Sequence, residues 1–172
     1  ALAKLRTENP NIHLIVIGKP KYDSKATALI EDLKLENHIE FISGVPDEKI
    51  VELYSTAELA IVPSLYEGFS LPAIEAMSCG VPLIATTGGA LPEVVGEDGV
   101  TALHVPPGDA VALANKIRWA LDQSSLRETV GQQGRSRVVS NYSWHSTAAK
   151  TVEHYYALLD SSKQTNSAGG AK

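Results

Sequence analysis

Leu59-Ala60-Ile61-Val62-Pro63-Ser64-Leu65-Tyr66-Glu67-Gly68-Phe69-Ser70-Leu71-Pro72-Ala73-Ile74-Glu75-Ala76-Met77-Ser78-Cys79-Gly80 reads as a strand, a loop and a helix in that order. The apolar run Leu59 to Val62 is short and unbroken, as in a strand covered on both faces. Ser70 is a natural N-cap, Pro72 is tolerated in a first helical turn, and Gly80 ends the apolar helical pattern. One carboxylate, Glu67, therefore falls in the loop, and a second, Glu75, about one turn into the helix.

Working outward, further Ile- and Val-rich runs predict strands at Ile12 to Ile17, Ile39 to Ile42, Leu83 to Thr86 and Ala102 to Val105. Helical patterns lie between them. Lys25 to Leu35 carries Ala28, Leu29, Leu33 and Leu35, and Asp47 to Ala57 follows Pro46 with Asp47 as a cap. Asp109 to Leu121 follows Gly108, with Asp109 as N-cap. Alternation with short connections predicts an α/β fold, a Rossmann-like parallel sheet with helices on both faces. From Asp109 onward the pattern is helical, with breaks near Ser124 and Asn141. Ser124 to Val139 forms one helix and Trp144 to Leu159 another, striped by Trp144, Ala148, Val152, Tyr155 and Leu159. Residues 1–160 are expected to form one domain, and the polar, small residues 161–172 a disordered tail.

Composition excludes several classes. At 172 residues the chain can bury a proper core, and its 44% apolar and 20% charged residues are those of a soluble globular protein. A formal net charge of −5 argues against a nucleic-acid surface. A single cysteine, Cys79, allows no internal disulfide and suits a reducing compartment, hence a cytoplasmic location. No apolar run approaches the roughly 20 residues that span a bilayer. His13, His38, His104, His145 and His154 show no ligand spacing with Cys or carboxylates, so no metal site is expected. His104, at a strand end, reads as a packed or capping residue. The P-loop is absent, and Gly18-Lys19-Pro20-Lys21 stands where a dinucleotide fingerprint would follow the first strand.

In open α/β sheets ligands sit beyond the carboxyl ends of the strands. Those loops contain Gly18, Gly44, Gly68, Gly88 and Gly89, whose lack of a side chain lets backbone approach a ligand. The loop before Leu71 offers free N–H groups and a positive helix end, which favour phosphate. Glu67 can accept hydrogen bonds from sugar hydroxyls, and Glu75 from two vicinal hydroxyls such as those of ribose. A sugar nucleotide combines these groups. The pattern by itself also allows a solvated loop Glu67 and an exposed helical Glu75, and for Val45 and Asp47 simple turn and capping roles.

Glu67 to Pro82 resembles the E-x7-E region of the family 4 retaining glycosyltransferases, of group 1 type. Gly88-Gly89-Ala90-Leu91-Pro92-Glu93 is similar to their G-G-x-x-E segment with one residue more before the Glu, Val105-Pro106-Pro107-Gly108-Asp109 to their P-x-x-D turn, and Tyr142-Ser143-Trp144 to their F-S-W. The resemblance runs in order to about Leu159. It implies the C-terminal, donor-binding half of a GT-B fold, ending in several helices, and transfer of a hexosyl unit from a nucleoside diphosphate sugar with retention and without a metal or other cofactor.

By the same resemblance, Glu67 is the catalytic residue at the transferred sugar. Gly68, Phe69, Ser70 and Leu71 hold sugar and diphosphate, and Glu75 binds ribose. Gly18 lines the nucleoside pocket, and Val45 and Asp47 touch the base. The family's diphosphate-binding Arg and Lys come from around a first strand that would precede Ala1, and its acceptor-binding domain is N-terminal. Both are missing from this sequence, so the chain is expected to be an incomplete, inactive fragment of an enzyme. Lys19 and Lys21 do not match the place of the Arg and Lys and read as solvated loop residues. The acceptor domain would also carry any patch holding the full-length enzyme at the inner face of a membrane. The alternative is a non-catalytic nucleotide-sugar-binding or interaction module on the same fold.

Overall fold

The computed structural model describes residues 1–19 and 25–168. In chain order the elements are α1 (Leu2–Leu5), β1 (Leu14–Ile17), α2 (Lys25–Asp32), β2 (Ile39–Ile42), α3 (Asp47–Thr56), β3 (Ala60–Val62) and α4 (Leu71–Ser78). They continue with β4 (Leu83–Thr86), α5 (Leu91–Val95), β5 (Leu103–Val105), α6 (Ala110–Leu121), α7 (Ser124–Tyr142) and α8 (Trp144–Ala168). Every strand pairing is parallel. The expected Rossmann-like α/β architecture is present, but its strands form two pieces, β1-β2 and β3-β4-β5, where a single sheet was expected.

All four residues of β4 are buried, Leu83, Ile84 and Ala85 as apolar core and Thr86 with its hydroxyl bonded. The pleat sends alternate side chains to opposite faces. Leu83 and Ala85 join Ala60, Val62, the α4 residues Ala73, Ala76 and Met77, and the α5 residues Leu91, Val94 and Val95. Ile84 joins Leu103, Val105, the α6 residues Ala114, Ile117 and Ala120, and Leu5 of α1. Burying side chains such as Leu83, Leu91 or Met77 contributes about 1.5–3 kcal/mol each. Asp109 caps α6 as expected, its Oδ1 accepting from the N–H groups of Val111 at 2.9 Å and Ala112 at 2.8 Å.

Some boundaries differ from the sequence expectation. α2 stops at Asp32 because Lys34 takes a left-handed conformation, φ 51°, and the Leu35 N–H bonds back to the Ile30 carbonyl at 2.9 Å. That closure is the Schellman motif, here with Lys in place of Gly. Asp47 does not cap α3: it is the first helical residue, Pro46 holds the cap position, and no side-chain cap bond forms. The α5 turn was not foreseen. α8 runs from Trp144 to Ala168. Trp144, Val152 and Tyr155 of its stripe are exposed, Trp144 to 90%.

α7 lies against α4 and the Thr101 turn because two glycines face them. A Cβ at Gly131 would stand 2.2 Å from the Gly80 carbonyl oxygen, and one at Gly134 2.8 Å from the Thr101 oxygen. At the outer edge of the sheet, Asp98 Oδ1 accepts the His104 N–H at 2.8 Å. The His104 imidazole is half-buried. Its Nε2 is buried, and no described residue bonds it. Burial holds this imidazole below its ordinary pKa; Lys116 adds to the effect, while Asp98 and the Gly96 carbonyl oppose it.

Gly131→Ala forces two helices apart, and urea denaturation is expected to show a loss of about 2 kcal/mol; an unchanged midpoint would contradict the contact. His104 favours its neutral form when folded, so its contribution is complete above the unfolded pKa of about 6.5 and is lost as pH falls through that value toward the lowered folded one. The stability difference between the natural chain and His104→Gln should therefore shift against the natural chain on going from pH 8 to pH 5.5. A pH-independent difference would exclude this linkage.

Candidate functional site

The loops at the carboxyl ends of β3 and β4 are fastened to each other by main chain. Glu67 pairs with Gly89 in an isolated parallel bridge, and the Ala90 N–H donates to the Glu67 carbonyl at 2.8 Å. Thr86, almost fully buried, donates its hydroxyl to the Ser64 carbonyl. A Cβ at Gly88 would lie 2.3 Å from the Leu65 oxygen, and one at Gly89, where φ is 67°, 2.5 Å from the Glu67 oxygen. These two glycines therefore serve the neighbouring loop, where the sequence suggested approach to a ligand. A Cβ at Gly18, Gly44 or Gly68, by contrast, would meet no atom of the described residues within 4 Å.

The loop so held presents Glu67 and the start of α4. The Glu67 side chain is half-buried, and its Oε2 is shielded from solvent with no hydrogen-bond partner among the described residues. A buried acceptor left unsatisfied costs about 1–3 kcal/mol, more for a charged group, and a ligand hydroxyl would relieve it. Ser70 is fully buried and caps α4, its Oγ accepting from the Ala73 N–H at 3.4 Å. Pro72 has no N–H, so within the first turn the Leu71 N–H is the donor without a partner among the described residues. Phe69 is half exposed, its ring edge-on to Tyr142 with centroids 5.8 Å apart. Tyr142 is held by its hydroxyl, which donates to the Val94 carbonyl at 3.3 Å. The end of α7 thus props the loop, a support that sequence reading missed.

Glu75 is exposed on α4, and it is an electrostatic neighbour of Tyr54 on α3. Burial first, then the charges of Glu75 and Cys79, push the Tyr54 phenol above its ordinary pKa. Tyr54 was not picked out from the sequence, since an aromatic at helical spacing looks like core. Gly18 ends β1, and its N–H donates to the Ile42 carbonyl at 2.8 Å, which places it beside the end of β2. Val45 is half-buried, and the Asp47 carboxylate is exposed, with no capping role to occupy it. Lys19 is exposed at the end of β1, and Lys21 lies outside the described residues. The structure thus gathers Glu67, Gly68, Phe69, Ser70 and Leu71 against the Gly88–Ala90 turn. Glu75 stands with Tyr54, and Gly18 beside the β2 end that leads to Val45 and Asp47.

Two surface cavities lie away from these side chains. One, of about 190 Å³, lies among Pro63, Thr86, Pro106, Gly108 and Asp109. The other, of about 320 Å³, lies between β5 and the outer side of α6, lined by Lys116 and Trp119. Glu67 and Glu75 instead lie along the open carboxyl edge, beside the exposed side chains of Leu65, Tyr66 and Leu71. Among the described residues no group of three His, Cys, Asp or Glu gathers as a metal site would need.

Comparison with known proteins identifies the family and the fold. Residues 1–137 match the family model described as Glycosyl transferases group 1. The MMP alpha-(1->4)-mannosyltransferase of Mycolicibacterium hassiacum is 42% identical over 155 residues, which are 90% of this chain and 38% of that protein. The sucrose-phosphate synthase of Thermosynechococcus elongatus superposes with a TM-score of 0.80 at 32% identity, over 93% of this chain and 42% of that one. The C-terminal domain of a glycosyl transferase group 1 family protein (LpcC) from Francisella tularensis has a TM-score of 0.71 at 26% identity, covering 83% of this chain and 75% of that one. The chain thus spans about two fifths of the length of the mannosyltransferase and the synthase. It belongs to the group 1 glycosyl transferases, and its fold is that of the C-terminal, Rossmann-like half of a GT-B enzyme.

Proposed function

We propose that the chain is the donor-binding half of a retaining, metal-independent hexosyltransferase that uses a nucleoside diphosphate sugar. The observation that carries this reading is the unpartnered, buried Oε2 of Glu67 beside the start of α4. An acceptor wanting hydroxyl donors stands next to a helix end that favours anionic oxygen. In this reading Glu67 binds hydroxyls of the transferred sugar, and the backbone of Gly68, Phe69, Ser70 and Leu71 receives the diphosphate. Glu75 takes the ribose hydroxyls, with Tyr54 beside it. Gly18, Val45 and Asp47 border the nucleoside.

The chemical task is to stabilise an oxocarbenium-like sugar while a diphosphate leaves. Donors fixed before the reaction stabilise charge as it develops on the leaving oxygen. The acceptor hydroxyl attacks the anomeric carbon from the face the diphosphate vacates. The new carbon–oxygen bond forms as the old one breaks, and the hydroxyl proton passes to the departing phosphate oxygen. The acceptor would be held by an N-terminal domain facing this open edge, which suits a site that is one wall of a cleft. A cytoplasmic location, at the inner face of a membrane if the acceptor is a lipid, completes the reading. Among the described residues no helix is long and apolar enough to cross a membrane.

Mannosyl donors are the first to test, because the relative at 42% identity is named a mannosyltransferase. In calorimetric titrations with UDP, GDP, UDP-glucose and GDP-mannose, Glu75→Ala is expected to weaken the preferred nucleotide about tenfold or more, the loss of a charge-assisted pair of hydrogen bonds. Glu67→Gln should leave the affinity for the bare nucleotide nearly unchanged, and in the full-length protein reduce transfer by about 10²–10³. If neither substitution alters binding or transfer, the site is assigned to the wrong residues. Donor binding by the natural protein with no transfer at all would favour the non-catalytic module. Chelation of divalent ions should change neither binding nor rate, and a loss of either would refute metal independence.

A further inference from the structure

α6 packs along β5, the margin of its three-stranded piece of sheet, and carries two stripes of side chains. Ala114, Ile117 and Ala120 enter the core. Ala112, Asn115, Lys116 and Trp119 recur at steps of three and four residues, so they share a second face of the helix, and all four line the outer cavity. Trp119 is 45% exposed, so its indole is not spent on the core. His104, Val105 and Pro106 supply the opposite wall. The enclosed volume of about 320 Å³ reaches the size at which small-molecule pockets begin, about 300 Å³.

The lining combines an apolar plate with one acceptor and two donors. The Gly96 carbonyl bonds the His104 ring, and burial keeps that ring neutral. Nε2 has no partner among the described residues, so the bond to Gly96 runs from Nδ1, and Nε2 is left as an acceptor. Asn115 Oδ1 accepts from Arg118 at 2.9 Å, which fixes the amide and leaves its Nδ2 to donate. The Lys116 ammonium stands 5.5 Å from the centre of the Trp119 ring and 4.0 Å from Asp98 Oδ1, so its charge is balanced at the rim.

These groups discriminate between ligands. An anion would suit Asn115 and Lys116 but would face the His104 lone pair and the Asp98 carboxylate. An apolar molecule would leave Nε2 unpaired, and an amine would meet the Lys116 charge. Hydroxyls both donate and accept. A ring that carries several of them and has an apolar C–H face matches the whole lining.

We propose that the cavity between β5 and α6 binds one ring of a neutral saccharide, its C–H face on Trp119 and its hydroxyls on His104 Nε2, Asn115 Nδ2 and Lys116 Nζ. The shielded Nε2 is reached once Lys116, whose ion pair with Asp98 is loose at 4.0 Å, turns outward. None of the lining side chains belongs to the candidate donor site, so the proposal stands apart from the donor reading.

Fluorine NMR of the full-length protein labelled with fluorotryptophan tests the site, the Trp119 signal being identified by its loss in Trp119→Phe. Methyl α-mannopyranoside, methyl α-glucopyranoside and maltotriose are the probes. At least one is expected to shift the Trp119 signal with half-saturation at about 1–10 mM. No shift from any of them at about 100 mM overturns the proposal. Asn115→Ala, at an exposed position, should weaken the binding about three- to tenfold, and His104→Phe about tenfold or more. Unchanged affinity in Asn115→Ala, whether or not His104→Phe folds, overturns the assignment. Acetate and inorganic phosphate at matched ionic strength should leave the signal in place; saturation by either means an anion site and overturns the proposal. The saccharide shift should also persist with UDP or GDP in excess. Its loss there would put the saccharide in the nucleotide site and overturn the second one, whereas persistence without nucleotide binding keeps this site and removes the donor reading.

Discussion

The carboxyl edge of the sheet depends on a contact between two stretches of main chain, residues 64–67 and 88–90. The bridge from Glu67 to Gly89 and the bond from Ala90 to Glu67 hold them at a separation that leaves no room for a Cβ at Gly88 or Gly89. This contact sets the direction from which Glu67 is presented and where the α4 start emerges. The Phe69–Tyr142 ring contact then braces the loop from the far side.

Below that edge the two faces of the sheet do different work. The face built from α4, α5 and the end of α7 is packed through small residues, Ala73 and Ala76 among them, and so brings helices close to the strands. The opposite face, under α6 and α1, packs Ala114 and Ala120 together with Leu5, Ile84, Leu103 and Ile117. Close packing on the first face holds α4, and with it the capped helix start, at a fixed height over β3 and β4. Interiors packed to such density transmit small volume changes, so the site inherits its geometry from residues that touch no ligand.

Much of this was legible. The short apolar-rich runs marked β2 and β4 to the residue, and Ser70 and Asp109 announced their caps because capping chemistry is local. Other features depend on contacts between residues distant in sequence. Gly88 and Gly89 look like ligand-binding glycines until the 64–67 backbone is placed against them. Tyr54 gains its interest only from Glu75, on another helix. The division of the sheet into β1-β2 and β3-β4-β5 shows only in the strand pairing, since β1 by itself reads as an interior strand.

The bond from the His104 amide to Asp98 has a wider meaning for how such a sheet can be enlarged. β5 is the outer margin, and His104 turns its N–H away from β4, where a further strand would accept it. Asp98 occupies that position with a charged side chain, the kind of device that keeps sheet edges from recruiting other chains. The border is thus sealed chemically while the interior is left unstitched. Growth of this sheet by accretion at its β5 rim is penalised by a bond that a single loop carboxylate supplies.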